Sequence, residues 1–218
     1  MTPRRALTVL LAAPLLAGAS AAAAFLLTGT HRRLGATRAE ARMPLPGDGL
    51  LQCAVQNDRA STILAPPEDV WPWIAQLGQD KAGFYSFELL ENLAGCQIHG
   101  ATRIHAEWQH PAPGDPFPLH PEAVLRVAQV EPGQTLVVTS AGGRPPGDLD
   151  FEFTWAFHLA PELGPSGEPA TRLHIRERYR PGPGVRPIIE VTSIISAVMT
   201  WRMMTRLQEL AGRSRSAA

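Results

Sequence analysis

The sequence has few cysteines, no net charge and none of the short motifs that mark common catalytic sites. Two cysteines, Cys53 and Cys96, allow at most one disulfide, so the chain is not a disulfide scaffold. The formal net charge is zero and no zinc-finger or RNA-recognition motif occurs, so we expect no nucleic-acid partner. No nucleophile–base pattern or phosphate-binding glycine loop is found. We therefore predict no cofactor and assign no catalytic residue.

A polar stretch from 97 to 109 contains the set His105, Glu107 and, just after it, His110. This spacing differs from the HExxH pattern, in which two histidines share one face of a helix. Pro111 follows immediately, which disfavours a helix through His110. We predict no metal site here and interpret the histidines as surface residues in a loop over a pocket mouth.

The amino-terminal region contains an uncharged, largely apolar run of 23 residues from Ala6 to Thr28. A helix of this length reaches roughly 35 Å, enough to cross a hydrocarbon core of about 30 Å. We predict a transmembrane anchor over residues 1–29. A cleaved signal is the alternative, because Ala19-Ser20-Ala21 would serve as a cleavage site. Phe25-Leu26-Leu27 extends the run beyond that site and favours the anchor.

The positions of basic residues near the run bear on its orientation. The carboxyl-terminal flank is the more basic, since Arg4 and Arg5 stand before the run, against Arg32, Arg33, Arg38 and Arg42 after it. The positive-inside tendency then favours a single-pass protein whose globular domain is cytoplasmic. We interpret residues 30–50 as a solvated linker, 51–212 as the folded domain and 213–218 as a disordered tail.

The stretch from Ser61 to Cys96 predicts how the domain begins. Arg59 to Leu64 alternates as a half-buried strand does, and Pro67 suits the first position of a helix that Gly78 can close. A second helix is predicted over Phe84 to Ala94. Its predicted apolar face carries Phe84, Phe87, Leu90 and Leu93 or Ala94.

The middle of the chain predicts consecutive antiparallel strands. The first three are Asp115–Leu119, Val124–Val130 and Gln134–Ser140, followed by a loop over Ala141–Asp148. The fourth, Phe151–Leu159, shows the clearest alternation in the chain and has one strongly aromatic face. Its pattern predicts a strand with that face in the core.

The last predicted strand runs from Thr171 to Tyr179. One face carries Leu173, Ile175, Glu177 and Tyr179, and the other, predicted to face solvent, carries Arg172, His174, Arg176 and Arg178. Glu177 is then a carboxylate on the core face, where an unpaired charge is costly. We consider Arg103 and Arg126 as partners in a structural ion pair. A ligand-contacting or proton-transferring role for Glu177 is the alternative.

A long closing helix is predicted from Ile188 to Ala211. The apolar stripe expected to face the sheet comprises Ile188, Val191, Ile194 and Ile195, Val198, Trp201 or Arg202, then Thr205 and Leu207 to Leu210. Methionines at 199, 203 and 204 would add adaptable side chains to a cavity wall.

Several local segments resemble those of a known superfamily. APPEDVW at 65–71, GFYS at 83–86, LEN at 90–92 and EWQ at 107–109 are similar to an actinobacterial subgroup of the SRPBCC superfamily. This superfamily includes START, Bet v 1-like and polyketide cyclase/dehydrase-related proteins. The resemblance covers about residues 57–210. It implies an α+β helix-grip fold, a curved antiparallel sheet wrapped on a long carboxyl-terminal helix.

The resemblance also implies a function, binding of a hydrophobic small molecule such as a lipid, polyketide or isoprenoid in a cavity. The residues predicted to contact it are Tyr85, Arg103, Trp108, Phe153, Trp155, Phe157, Glu177 and Tyr179. One alternative is a cyclase or aromatase that uses Glu177 with Tyr85 or His99 as acid and base. Another is a membrane-anchored interaction domain without a ligand. The sequence predicts no particular oligomeric state.

Overall fold

The architecture is one antiparallel sheet packed against a long helix. A computed structural model describes residues 28–143 and 150–216, so the predicted membrane anchor lies outside them except for its last two residues. The strands are β1 (Val55–Ile63), β2 (Pro116–His120), β3 (Ala123–Glu131), β4 (Thr135–Thr139), β5 (Phe151–Leu163) and β6 (Pro169–Pro181). The helices are α1 (Arg38–Arg42), α2 (Pro67–Ala75), α3 (Glu88–Leu93) and α4 (Arg186–Ser216).

The sheet order is β1-β6-β5-β4-β3-β2, with every neighbouring pair antiparallel. The chain therefore forms a meander from β2 to β6, and β1 joins the free side of β6. The predicted α+β arrangement of an antiparallel sheet and a carboxyl-terminal helix is confirmed, and it fits a helix-grip fold. The predicted loop over Ala141–Asp148 lies mainly outside the described residues.

The second predicted helix is shorter than expected and faces the other way. Only Glu88–Leu93 is helical, since Phe84 to Phe87 forms a turn in which Tyr85 has a positive φ of 55°. Leu90 and Leu93 are exposed, Leu93 by 83%. The buried residue of this helix is Glu91. The predicted apolar face was wrong. The spacing of the leucines is typical of a buried helix face, but in the structure this face is exposed to solvent.

The face of α4 that packs on the sheet differs from the prediction in the first half of the helix, whereas Leu207 and Leu210 of the predicted stripe are buried as expected. Trp201 is 51% exposed, and the other large apolar side chains on the outer face are Ile188, Val191, Ile195 and Val198. The buried face carries Ile189, Ser193, Ala197, Thr200, Met203, Met204, Leu207, Leu210 and Ala211. The helix has apolar residues on two sides, and in its first half the small residues Ser193, Ala197 and Thr200 face the sheet. The exposed apolar residues form what we call the outer stripe: Ile188, Val191, Ile195, Val198 and Trp201.

The basic face of β6 is covered, which corrects the prediction that it faces solvent. His174 and Arg176 are buried, and both contact Asp58 of β1. The Oδ1 atom of Asp58 is 2.9 Å from His174 Nε2 and 2.6 Å from Arg176 Nε. Arg176 also pairs with Asp48 at 2.7 Å, and its guanidinium donates to the carbonyl of Met43. A buried arginine needs such compensation because an unpaired buried charge is costly.

Residues 30–50, predicted as a solvated spacer, form this cover. Helix α1 begins at a complete capping box between Thr37 and Glu40, and the Glu40 carboxylate also accepts from Arg172 at 2.7 Å. Hydrogen bonding to Arg172 lowers the pKa of Glu40 to about 2. Gly35, with φ 71°, lies so close to the Ala60 carbonyl that a Cβ atom would be 2.1 Å from its oxygen. The segment is therefore packed on β1 and β6.

None of the helices within residues 28–143 and 150–216 is long and apolar enough to span a bilayer. Both cysteines are free thiols and half-buried. Burial, together with the nearby Glu91, raises the pKa of the Cys96 thiol.

Candidate functional site: a cavity between the sheet and the closing helix

A cavity of about 380 Å³ lies between the inner face of the sheet and the first half of α4. This volume is within the range of small-molecule sites in proteins. Most of its lining is apolar. The lining residues are Phe84, Ser86, Glu91, Leu119, Ala123, Phe151, Phe153, Trp155, Glu177, Tyr179, Thr192, Ser196, Met199, Thr200 and Met203.

Aromatic rings form the wall on the sheet side. Alternation along β5 places Phe153 and Trp155 on the inner face, and antiparallel pairing sets Phe153 opposite Tyr179 of β6. The rings of Phe153 and Tyr179 stack with centroids 4.7 Å apart. Phe84 completes this wall, with its ring centroid 5.8 Å from that of Trp155. Such a surface favours an apolar or aromatic ligand.

Glu177 on the sheet wall is held in a buried ion pair with Arg59 of β1. The distance from Arg59 Nη1 to Glu177 Oε2 is 2.8 Å, and the Arg59 side chain is 0% exposed. Glu177 Oε2 also accepts from Asn57 and from the Tyr179 hydroxyl, each at 3.1 Å, while Ser196 donates to Oε1. Three hydrogen bonds and the ion pair with Arg59 therefore compensate the buried charge of this carboxylate.

The same network ties three elements together. Arg59 donates from Nη2 to the carbonyl of Ser193 in α4 at 3.0 Å, and Asn57 donates to the Ser193 hydroxyl. The network thus joins β1, β6 and α4 next to the cavity. Burial and the neighbouring Glu177 raise the pKa of Tyr179, which keeps its hydroxyl a donor. This geometry favours the structural ion pair predicted for Glu177.

The predicted partners of Glu177 were wrong. Arg103 is exposed, and Arg126 donates to the carbonyl of Ala141 at 2.9 Å. Arg59 was not considered, because its position near the start of a predicted strand gave no indication that it faces the core.

Glu91 of α3 is a second carboxyl group on the cavity wall, and sequence reasoning did not find it. The residue is only 8% exposed. Ser86 donates to its Oε1 at 2.6 Å, and within the described chain its Oε2 has no hydrogen-bond partner. Burial raises the pKa of this carboxyl group, partly opposed by the Ser86 hydrogen bond and reinforced by the charge of Glu88. Glu91 is therefore less completely satisfied than Glu177.

The structure brings half of the predicted ligand-contacting residues to the cavity. Those in its lining are Phe153, Trp155, Glu177 and Tyr179, and those outside it are Tyr85, Arg103, Trp108 and Phe157.

The residues outside the lining are held elsewhere for identifiable reasons. The Tyr85 hydroxyl donates to the Trp73 carbonyl and accepts from Gln76, so its ring packs on α2 while its neighbours Phe84 and Ser86 line the cavity. The ring of Trp108 stacks on that of His105, with the ring centroids 4.2 Å apart. Phe157 is in the core below Trp155.

The acid–base pairs considered for Glu177 are not assembled at the cavity. Tyr85 is outside the lining and burial raises the pKa of its hydroxyl, and His99 is exposed on the surface. Over the described ranges, no group of three or more His, Cys, Asp or Glu residues could hold a metal ion. Of the residues in the polar stretch, His105 and Glu107 are in contact, with 3.2 Å between His105 Nδ1 and Glu107 Oε1.

Among known proteins, only solved structures show similarity to this chain. No family model matches the chain, and no curated protein matches it. A solved protein of Nitrosomonas europaea is 19% identical, with a TM-score of 0.47 over 76% of this chain and 99% of that one. A protein of Mesorhizobium loti is 22% identical, with a TM-score of 0.39 over 73% and 98%. CalU16 from Micromonospora echinospora is 15% identical, with a TM-score of 0.32 over 74% and 86%. At these values the likenesses carry no conclusion beyond the geometry described above.

Proposed function

We propose that this chain is an SRPBCC-type helix-grip protein that binds a hydrophobic small molecule between its sheet and its closing helix. The cavity of about 380 Å³, walled by Phe84, Phe153 and Trp155, is the observation that carries the proposal. An interaction domain with a filled interior would have no such space. Lipid, polyketide and isoprenoid-like molecules are the expected ligand classes.

Blocking the cavity tests this proposal. The wild-type chain should bind the dye 1-anilinonaphthalene-8-sulfonate, whose ring system is apolar, at one site, and the bound dye should raise the melting temperature. Ala123→Trp should weaken this binding at least about tenfold, because the larger ring occupies space that the ligand needs. Fluorescence titration measures the affinity. Thr192→Trp, at the exposed helical edge, serves if the first variant does not fold. Equal dye affinity in wild type and a folded blocked variant would contradict the proposal.

We also propose that the protein is attached to a membrane and that the outer stripe of α4 lies against the bilayer surface. The apolar run from Ala6 ends at Thr28, and Arg32, four residues later, pairs with Glu190 of α4. A bilayer holding the run would therefore lie close to the outer stripe. Exposed tryptophan is common at membrane interfaces, which suits Trp201.

Lipid quenching tests the attachment. With the full-length chain in phosphatidylcholine vesicles, lipids with brominated acyl chains should quench part of the tryptophan emission. Trp201→Phe should remove this quenching, whereas Trp108→Phe, at a half-buried site away from the stripe, should leave it unchanged. Unchanged quenching in Trp201→Phe would contradict the proposed contact. A stripe covered by a second copy or by the amino-terminal run would likewise shield Trp201 from brominated lipid.

A further inference from the structure

The part of the cavity wall that a ligand can touch is almost entirely apolar. This does not follow from the composition of the lining, because about half of its side chains carry a nitrogen or oxygen atom. These side chains are Ser86, Glu91, Trp155, Glu177, Tyr179, Thr192, Ser196 and Thr200. Their polar atoms must therefore be engaged with the protein or turned away from the open space.

Five of these side chains hydrogen-bond one another. Glu177 accepts from the hydroxyls of Tyr179 and Ser196, so these three groups of the wall compensate each other. Ser86 donates to Glu91 Oε1 at 2.6 Å. A ligand group directed at these atoms would have to replace a hydrogen bond that already exists.

Two further polar atoms on the wall are unpaired but enclosed. Within the described residues, Glu91 Oε2 and Trp155 Nε1 have no hydrogen-bond partner. Each of these atoms has less than 1 Å² of accessible surface. A ligand in the cavity therefore cannot contact either of them.

The remaining polar groups of the wall are two hydroxyls of α4. Thr192 donates to the carbonyl of Ile188, four positions earlier, at 2.9 Å. Threonines within helices commonly satisfy their hydroxyls in this way. The carbonyl of Ser196 stands in the same relation to Thr200 and offers it the same kind of partner. The described wall therefore leaves a ligand few hydrogen bonds to make.

We propose that the part of the ligand inside the cavity is plain hydrocarbon, such as an isoprenoid or acyl chain, and that polyketides are excluded. This inference rests on the proposed function and narrows its ligand class. A polyketide carries carbonyl or hydroxyl groups along its chain, and each would lose its water partners on entry without gaining a hydrogen bond. A polar end group stays at the opening beside Thr192, which lines the cavity and is exposed.

A matched pair of probes tests this selection. 2-Methylnaphthalene and 2-naphthol have similar size, and only the second carries a hydroxyl group. Competition against 1-anilinonaphthalene-8-sulfonate should show that the wild-type chain binds 2-methylnaphthalene at least about tenfold more tightly, because the hydroxyl is buried without a partner. Equal affinities, or tighter binding of 2-naphthol, would overturn the inference and leave the proposed function intact. If neither probe displaces the dye, the proposed function itself fails.

A polar variant shows whether the apolar wall sets the preference. Met199→Gln places a free amide on the wall at similar side-chain length, and its half-buried position tolerates a polar group. This variant should bind 2-naphthol severalfold more tightly than wild type does, without a gain for 2-methylnaphthalene. Met43→Gln, at an exposed position outside the cavity, is the control and should bind both probes as wild type does. An unchanged preference in a folded Met199→Gln protein would contradict the proposal.

Thr200→Val removes the hydroxyl of Thr200 and keeps the shape of the side chain. Both probes should bind this variant with wild-type affinity, because the Thr200 hydroxyl is satisfied within its own helix. A loss of affinity for 2-naphthol alone would show that the wall does supply a partner for a ligand hydroxyl, and it would overturn the inference.

Discussion

Replacing Arg59 with methionine is expected to lower the free energy of unfolding by about 3–5 kcal/mol, the usual effect of removing one member of a buried ion pair. Arg59 is 0% exposed and faces Glu177 at 2.8 Å, so its removal leaves that carboxylate buried without its cation. It also removes the hydrogen bond from Arg59 to the Ser193 carbonyl, which helps hold α4 on β1. Urea denaturation followed by circular dichroism measures the change.

Two further variants separate the charge effect from lost packing. Arg38→Met, at an exposed position, should change stability by less than about 0.5 kcal/mol. Adding Glu177→Gln to Arg59→Met should recover part of the loss, because the amide needs no cation. Glu177→Gln alone should destabilise the fold without altering ligand preference. An Arg59→Met protein as stable as wild type would mean that this network does not hold the sheet and helix together.

Replacing Asp58 with asparagine is expected to cost about 3 kcal/mol, at the lower end for a broken buried pair, because Asp48 still faces Arg176. Asp58 is buried among His174, Gln56 and Arg176. Burial opposes its ionisation, but hydrogen bonds from these three side chains outweigh burial and lower its pKa.

The sign of the pKa shift predicts an acid-sensitive fold. Because the pKa of Asp58 is lower in the folded state, its stabilising effect is full above the unfolded pKa of about 3.9 and is lost as pH falls through the folded pKa. Glu40, with its pKa lowered to about 2, acts in the same direction. Urea midpoints measured between pH 6 and pH 2.5 should fall in wild type, and less steeply in Asp58→Asn. Parallel pH profiles would show that Asp58 is not the titrating group.

The alternation of apolar and polar residues predicted the strands of the sheet well. It predicted poorly which faces are buried when residues far away in the chain cover them. The pattern from Phe151 to Leu159 was sufficient to identify β5 because large apolar residues occupy every second position of the sequence, although residues 153–157 are all buried in the structure. Alternation along β6 also identified Glu177 as a carboxylate on the core face. Its partner Arg59 is 118 positions away, and only the register between β1 and β6 brings the two side chains together.

Errors in assigning faces have a common physical origin. Periodicity shows which residues share a face, but it does not show what covers that face. The arginines of β6 alternate as surface residues do, yet residues 30–50 pack on them. In α3, the leucines are exposed and Glu91 is buried at the cavity, an arrangement that no helical pattern indicates. The cavity could thus be expected from the sequence, but the buried carboxyl group of Glu91 on its wall could not.

Native mass spectrometry of the protein purified from its own host tests the central claim most directly. The wild-type chain should carry a small hydrophobic molecule that is released on denaturation, and Ala123→Trp, purified in the same way, should lack it. A ligand-free mass for the folded wild-type chain, or the same adduct on the blocked variant, would contradict the account of the cavity as a binding site.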